Sequence, residues 1–146
     1  PTLLAFREAG PAAAALKGLR TSFEILFVDG NGRLHPYKAG FACHLGVMLN
    51  IPTIGVAKRL LCGSLGEWKG NRAPVYYGGE IVGYAVKTLP RAKPIYVSVG
   101  HRVSLETAVR LVLWLTRGRR KLPAPLVFAH NETRARAKEI ERLCRS

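Results

Sequence analysis

FVDGNGRLHPYKAGFACHLGVMLNIPTIGVAK, residues 27–58, decides the fold. Phe23 to Val28 is apolar except for Glu24 and runs into Asp29-Gly30-Asn31-Gly32, the pattern of a buried strand that stops at a glycine-rich turn. Asp29 therefore stands at the strand's carboxyl end. From Ala39 to Leu49 apolar side chains recur at Phe41, Leu45, Met48 and Leu49, a helical spacing, and Thr53 to Ala57 is the next short run of buried-strand composition. Strand, helix and strand in this order make a βαβ-like unit and place the chain in the α/β class.

Elements of both kinds continue on either side. Upstream, TLLAFRE (Thr2 to Glu8) suits a short helix; Gly10-Pro11 is expected to break it and to put Pro11 at the first position of a second helix reaching about Leu19. Glu8 then lies near a helix junction. Downstream, a Gly- and Lys-rich loop from Gly63 to Gly70 precedes Val75 to Tyr77 and Ile81 to Val86, which flank Gly78-Gly79 as the arms of a hairpin do. Ile95 to Val99 is a further strand. Ser104 is a good N-cap, Glu106 complements the helix dipole, and Leu105, Ala108, Val109 and Val112 form the apolar stripe of the helix that follows. After the basic turn Arg117-Gly118-Arg119-Arg120-Lys121, the stretch from Asn131 reads as a highly charged surface helix. No repeat or linker divides residues 1–146, so a single domain is expected.

Composition narrows the partners. The 146 residues are 48% hydrophobic and 22% charged, a globular balance, and no apolar run is long enough to span a membrane. No signal-peptide pattern opens the chain, and the three cysteines show neither zinc spacing nor a disulfide pattern, so a cytoplasmic setting is expected. Twenty-three Lys and Arg against nine Asp and Glu give a formal net charge of +14, which points to a polyanion and foremost to nucleic acid. Ribosomal and architectural binders share that balance, so the acids are more informative than the bases. Asp29 is the only aspartate.

Three metal-compatible side chains, Glu8, Asp29 and His130, fall at breaks or ends of the expected elements. Carboxylates are the hard oxygen ligands that Mg²⁺ prefers, and phosphoryl chemistry at neutral pH commonly uses such an ion to activate water. A basic chain with this set suggests a nuclease. Each residue also has a plainer reading: Glu8 as an exposed helix residue, Asp29 as a turn-former before glycine, His130 as a surface residue. Spacing alone leaves both readings open.

The segments FVDGNGRLHPYKAGFACHLG, IPTIGVAKRLLCG and VSVGHRVSLETA, in this order, resemble successive blocks of the endonuclease V family, and PTLLAFREAGP and KLPAPLVFAH extend the resemblance over nearly the whole chain. The resemblance implies an RNase H-like mixed sheet flanked by helices. It further implies Mg²⁺- or Mn²⁺-dependent hydrolysis of deaminated nucleic acid at the second phosphodiester bond 3′ to inosine, in DNA repair. By position, Glu8 and Asp29 match catalytic, metal-binding carboxylates of the family, and His130 matches a position that completes the site. Lys58 matches a lysine that could stabilise phosphate charge. Gly30, Gly40 and Phe41 match parts of the pocket that holds the extruded base, with backbone amides near Gly30 and Gly40 expected to read it; His35 belongs to the same segment, and Leu4 is a further expected substrate-binding residue. His44 and His101 are expected to pack or support.

Departures from the family pattern sharpen the expectation. A further family aspartate, on a first strand preceding this region, has no counterpart here, nor does the tyrosine that wedges into the nucleic-acid stack; Tyr37 stands where the family usually has arginine, beside Lys38. The first strand would lie beside the one ending at Asp29, so a truncated family fold is expected, its first strands missing. Three functions follow. The leading one is an inosine-directed endonuclease whose complete form or partner segment supplies the aspartate. The others are a weak or inactive nucleic-acid-binding remnant and a basic structural protein.

Overall fold

The computed structural model describes residues 4–145; the side chain of Leu4, expected to bind substrate, lies outside that description. Six strands form one mixed sheet in the order β1-β2-β6-β5-β4-β3. They are β1 (Leu26–Asp29), β2 (Thr53–Ala57), β3 (Ser64–Leu65), β4 (Arg72–Tyr77), β5 (Glu80–Val86) and β6 (Ile95–His101). Four helices accompany them: α1 (Leu4–Lys17), α2 (Phe41–Leu49), α3 (Leu105–Thr116) and α4 (Ala124–Cys144). The expected βαβ unit is present, with β1 and β2 parallel in the register Leu26↔Thr53 to Asp29↔Val56 and α2 as their crossover. All other pairings are antiparallel.

Strand alternation divides the core between the two faces of the sheet. Ile54 and Val56 of β2, Ile95 and Val97 of β6 and Val86 of β5 point one way and bury against Ala108, Val109 and Val112 of α3 and Leu126 of α4. Each fully buried Ile or Val in this layer contributes on the order of 2 kcal/mol. On the opposite face Val28 packs with Ala42 and Leu45 of α2 and Ala9 of α1, and the buried Thr53 hydroxyl donates to the Ala42 carbonyl at 2.7 Å. The two helix layers therefore lie on opposite sides of β1 and β2.

Several boundaries depart from expectation for identifiable reasons. Gly10-Pro11 does not break the first helix: α1 runs through Pro11 to Lys17. Pro11 lacks only one intrahelical donor, and the alanine-rich run has high helix propensity, with Ala5, Ala9 and Ala13 buried in its packing. Glu8 consequently sits within a helix and not at a junction. The loop from Gly63 to Gly70 contains the short strand β3, which pairs with β4. The last helix begins at Ala124, not near Asn131, because Leu126 buries its first turn in the core behind the buried Pro123. The hairpin and the α3 cap are as read. Gly78 and Gly79 take φ of 60° and 78°, the left-handed turn that suits two-residue hairpins, and Ser104 accepts from the Thr107 amide at 3.1 Å. No helix among the described residues is long and apolar enough to cross a membrane.

Candidate functional site

The outer edge of β1 carries no strand among the described residues, and a cleft of about 640 Å³ runs along it. Its floor is Leu26 to Asp29. One wall is α1, with Glu8, Ala12 and Leu16; the other is α4, with Leu126, Ala129 and His130. Glu8, Asp29 and His130, separated by up to 122 positions in the sequence, thus line one cleft. They reach it from three different elements: Glu8 from α1, Asp29 as the last residue of β1, and His130 from the second turn of α4.

Parallel pairing of β1 with β2 brings their carboxyl ends together, and with them Asp29 and Lys58. The Lys58 ammonium lies 2.9 Å from Asp29 Oδ2, with both side chains about half exposed (47% and 50%). A pair this wet adds little to stability, on the order of 0–1 kcal/mol. Its significance is placement: a cation is held at the carboxylate that ends β1. A second hollow of about 450 Å³ adjoins it, lined by Asp29, Gly30, Asn31, Ala57 and Lys58.

The loop following Asp29 is sewn flat onto the sheet. Gly32 N–H donates to the buried Ser98 hydroxyl at 2.9 Å, Arg33 N–H to the Val99 carbonyl at 2.8 Å, and Gly40 N–H to the Gly32 carbonyl at 3.0 Å. Gly55, in the middle of β2, makes this possible: a Cβ there would stand 2.4 Å from Gly32 N and 2.7 Å from the Gly30 carbonyl oxygen. A Cβ on Gly40 would meet the Asn31 carbonyl oxygen at 2.3 Å. The Gly30 amide is engaged too, donating to the Val28 and Val56 carbonyls at 2.9 and 3.1 Å. Recognition of a base through the amides of Gly30 and Gly40 themselves is therefore not what this loop offers. Gly30 instead lies against Phe41, where a Cβ would meet the ring at 3.6 Å, and Asn31 beside it has a buried Oδ1 without a partner among the described residues.

Reading the sequence missed Gly55, Ser98 and Glu80. The signal for Gly55 was a lone glycine inside the strand run TIGVA, which marks a close backbone approach. Glu80, at the start of β5, accepts from Arg33 at 3.1 Å and from Lys38, tying the tip of the loop to the hairpin. These two cations hold its carboxyl below the usual glutamate range, the Lys38 hydrogen bond being the larger cause. His44 and His101 take packing positions, His44 against the Phe6 ring at 5.8 Å and His101 against Gly46.

His35 is 6% exposed, and its Nδ1 accepts the Tyr37 amide at 3.3 Å. Burial, and then the nearby His44, lower its pKa, and protonation would also turn that accepting nitrogen into a donor. A depressed histidine pKa leaves the unfolded chain holding more protons than the folded one between the two values. Stability from this residue is thus full above about 6.5, the ordinary histidine value, and is lost as pH falls from there through the lowered value. Thermal midpoints measured against pH should decline on the acid side of that point, and His35→Gln should remove this component of the decline. An unchanged pH profile in the variant would refute the assignment.

The donor set suits a divalent cation in kind: two carboxylates and an imidazole. Number and closure are different matters, since no three His, Cys, Asp or Glu side chains among the described residues converge closely enough to hold a metal ion. The expected metal set of Glu8, Asp29 and His130 shares a cleft but does not close into a metal centre by itself.

Comparison with known proteins bears directly on this arrangement. The family model for endonuclease V matches residues 1–131. The chain belongs to the endonuclease V family. It is 60% identical over 130 residues to endonuclease V of Thermofilum pendens, a match covering 89% of this chain and 56% of that protein. Endonuclease V of Streptomyces avermitilis superposes with a TM-score of 0.88 at 40% identity, covering 97% of this chain and 63% of that one. Endonuclease V of Ciona intestinalis, solved in complex with a 24mer DNA containing an inosine followed by a ribo-adenosine, superposes with a TM-score of 0.84 at 34% identity, covering 95% and 66%. The chain spans between half and two thirds of these relatives' own length. Endonuclease V membership sets aside the reading as a basic structural protein, and the mixed sheet with four helices is the part of the endonuclease V fold that the matches cover.

Proposed function

We propose that the chain carries the nucleic-acid-cleaving site of an endonuclease V that hydrolyses deaminated nucleic acid at the second phosphodiester bond 3′ to inosine. The observation that supports it most is the meeting of Glu8, Asp29 and His130 in one cleft, with Lys58 on Asp29. Glu8 and Asp29 would be carboxylate donors to Mg²⁺ or Mn²⁺, with His130 beside them; the bound ion supplies an activated water and neutralises phosphate charge. A further carboxylate is needed. The open edge of β1 is where the family resemblance puts the strand that bears it, between α1 and α4.

The chain's own residues account for the remaining tasks. Asp29 fixes the Lys58 ammonium at the mouth of the site, and an incoming phosphate would share that cation, so charge building on the phosphoryl oxygens meets a donor already in place. The hollow beside Asp29 and Lys58, lined also by Gly30, Asn31 and Leu61, would take the extruded base, and His35 helps hold the loop that follows in shape. Absence of a closed metal set favours one second reading, a nucleic-acid-binding remnant with little or no cleavage.

The test is incubation of the chain, joined to a first-strand segment that bears the further carboxylate, with a labelled single-inosine oligonucleotide and its adenosine control, in Mg²⁺, Mn²⁺ or EDTA. The proposal expects metal-dependent cutting one nucleotide beyond the inosine and none in the adenosine control. Binding to inosine without cutting would support the remnant reading, and equal binding to both oligonucleotides would remove the base-pocket assignment.

A further inference from the structure

Of the cations in this chain, Arg33, Lys38, Lys58, Arg72 and Arg136 lie in ion pairs. A second group is exposed and has no carboxylate within ion-pair distance among the described residues: Lys87, Arg91 and Lys93 in the loop between β5 and β6, and Arg117, Arg119 and Arg120 in the turn between α3 and α4. These two segments are one surface, because the Thr88 hydroxyl of the first donates to the Lys121 carbonyl of the second at 2.8 Å. Between residues 87 and 131 the only acid is Glu106, which is engaged with Arg72.

Strand pairing fixes where this surface lies. Asp29 is opposite Val56, Ala57 opposite Tyr96, and Ile95 opposite Val86, so the residues after β5 and before β6 stand at the same end of the sheet as Asp29 and Lys58. Three strand spacings of about 4.8 Å separate β1 from β5, or about 14 Å. Along α4, the six residues from His130 back to Ala124, beside the basic turn, span about 9 Å. Both routes put the cationic shelf roughly 10–15 Å from the cleft. Exposed aromatic rings accompany it: Arg117 lies over Trp114 at 5.2 Å and Arg120 over Phe128 at 5.7 Å, with those rings 57% and 64% exposed.

We propose that this shelf binds the phosphate backbone of the duplex flanking the lesion, so that the protein requires several base pairs on one side of the inosine. This rests on the proposed function for the position of the lesion. At about 3.4 Å per base pair, a separation of 10–15 Å corresponds to about four base pairs, and each neutralised phosphate contributes about 0.9 to the slope of log affinity against log salt. Surface charge at helix ends and loops is common; what singles out this group is its two joined loops, its exposed aromatic rings and its place at the site's end of the sheet.

The experiment is fluorescence anisotropy in EDTA, with single-inosine and adenosine duplexes whose flank on each side is shortened in turn. Arg91→Glu/Lys93→Glu/Arg119→Glu is compared with a control of equal charge change, Lys138→Glu/Arg142→Glu/Arg145→Glu at the C-terminal end of α4 and its cap. The wild-type chain should lose affinity when one flank falls below about four base pairs, and the shelf variant should not feel that shortening. Between 50 and 200 mM salt the shelf variant should lose about 40-fold less affinity than wild type, which is three phosphate contacts' worth. Equal effects in the two variants, or no dependence of the wild type on either flank, would overturn the shelf. Loss of inosine preference with the flank effect intact would instead count against the proposed function alone.

Discussion

Asp29→Ala is expected to lower metal-dependent cleavage by about 10³-fold or more, the loss that follows from removing several kcal/mol of transition-state stabilisation. Nucleic-acid affinity should change little, because the variant removes a negative charge and frees Lys58 from its 2.9 Å pair. Stability should also hold, since that pair is half exposed and Asp29 is the last residue of an edge strand. Single-turnover cleavage of an inosine duplex, read beside an anisotropy titration, separates the two effects. Undiminished cleavage would remove Asp29 from the site and leave the cleft without its central carboxylate.

Gly55→Ala should be the largest effect on folding. The added Cβ meets Gly32 N at 2.4 Å and the Gly30 carbonyl oxygen at 2.7 Å, both backbone atoms that cannot swing aside. The loop must lift, and lifting it strains the Gly32 to Ser98 and Gly40 to Gly32 hydrogen bonds. Overpacking of this kind costs about 3 kcal/mol, or roughly a 10 °C fall in Tm for a chain of this size. Because the same loop carries Gly30 and leads to Phe41, inosine preference should fall with it. A thermal melt that matches wild type would show that the loop is not seated on β2 as described.

Local chemistry made the centre of the fold legible. The apolar run into Asp29, the helical spacing of Phe41, Leu45 and Leu49 and the β-branched TIGVA segment each point to one element, and β1, α2 and β2 are those elements. Gly78-Gly79 likewise signalled its hairpin, and Ser104 its helix. Tertiary burial decided what the sequence alone misjudged. Pro11 sits inside α1 because small alanines seat that helix on its neighbours, and α4 starts early because Leu126 is a core residue within a charged segment.

The site shows the same division. Glu8, Asp29 and His130 could be named from their chemistry and from the family resemblance, but no spacing rule joins residues so far apart; the sheet edge and two flanking helices bring them to one cleft. Backbone amides near Gly30 and Gly40 were expected to read a base; the amides of those two glycines are themselves used within the protein, because a loop pressed against a strand must satisfy its own donors there. Gly55 showed only as a lone glycine inside a strand run, and Ser98 carried no signature at all. They matter only through the backbone that lies over them.

The most direct test of a site completed along the β1 edge is to join, ahead of residue 1, a first strand of the kind the endonuclease V resemblance implies, once with its aspartate and once with alanine in that position, and to measure Mg²⁺-dependent cleavage of a single-inosine duplex. Robust cutting one nucleotide beyond the inosine is expected when the aspartate is present and its loss when that residue is alanine, with the Asp29→Ala variant inactive in both backgrounds. Equal cleavage with and without the restored aspartate would contradict a site completed along the β1 edge.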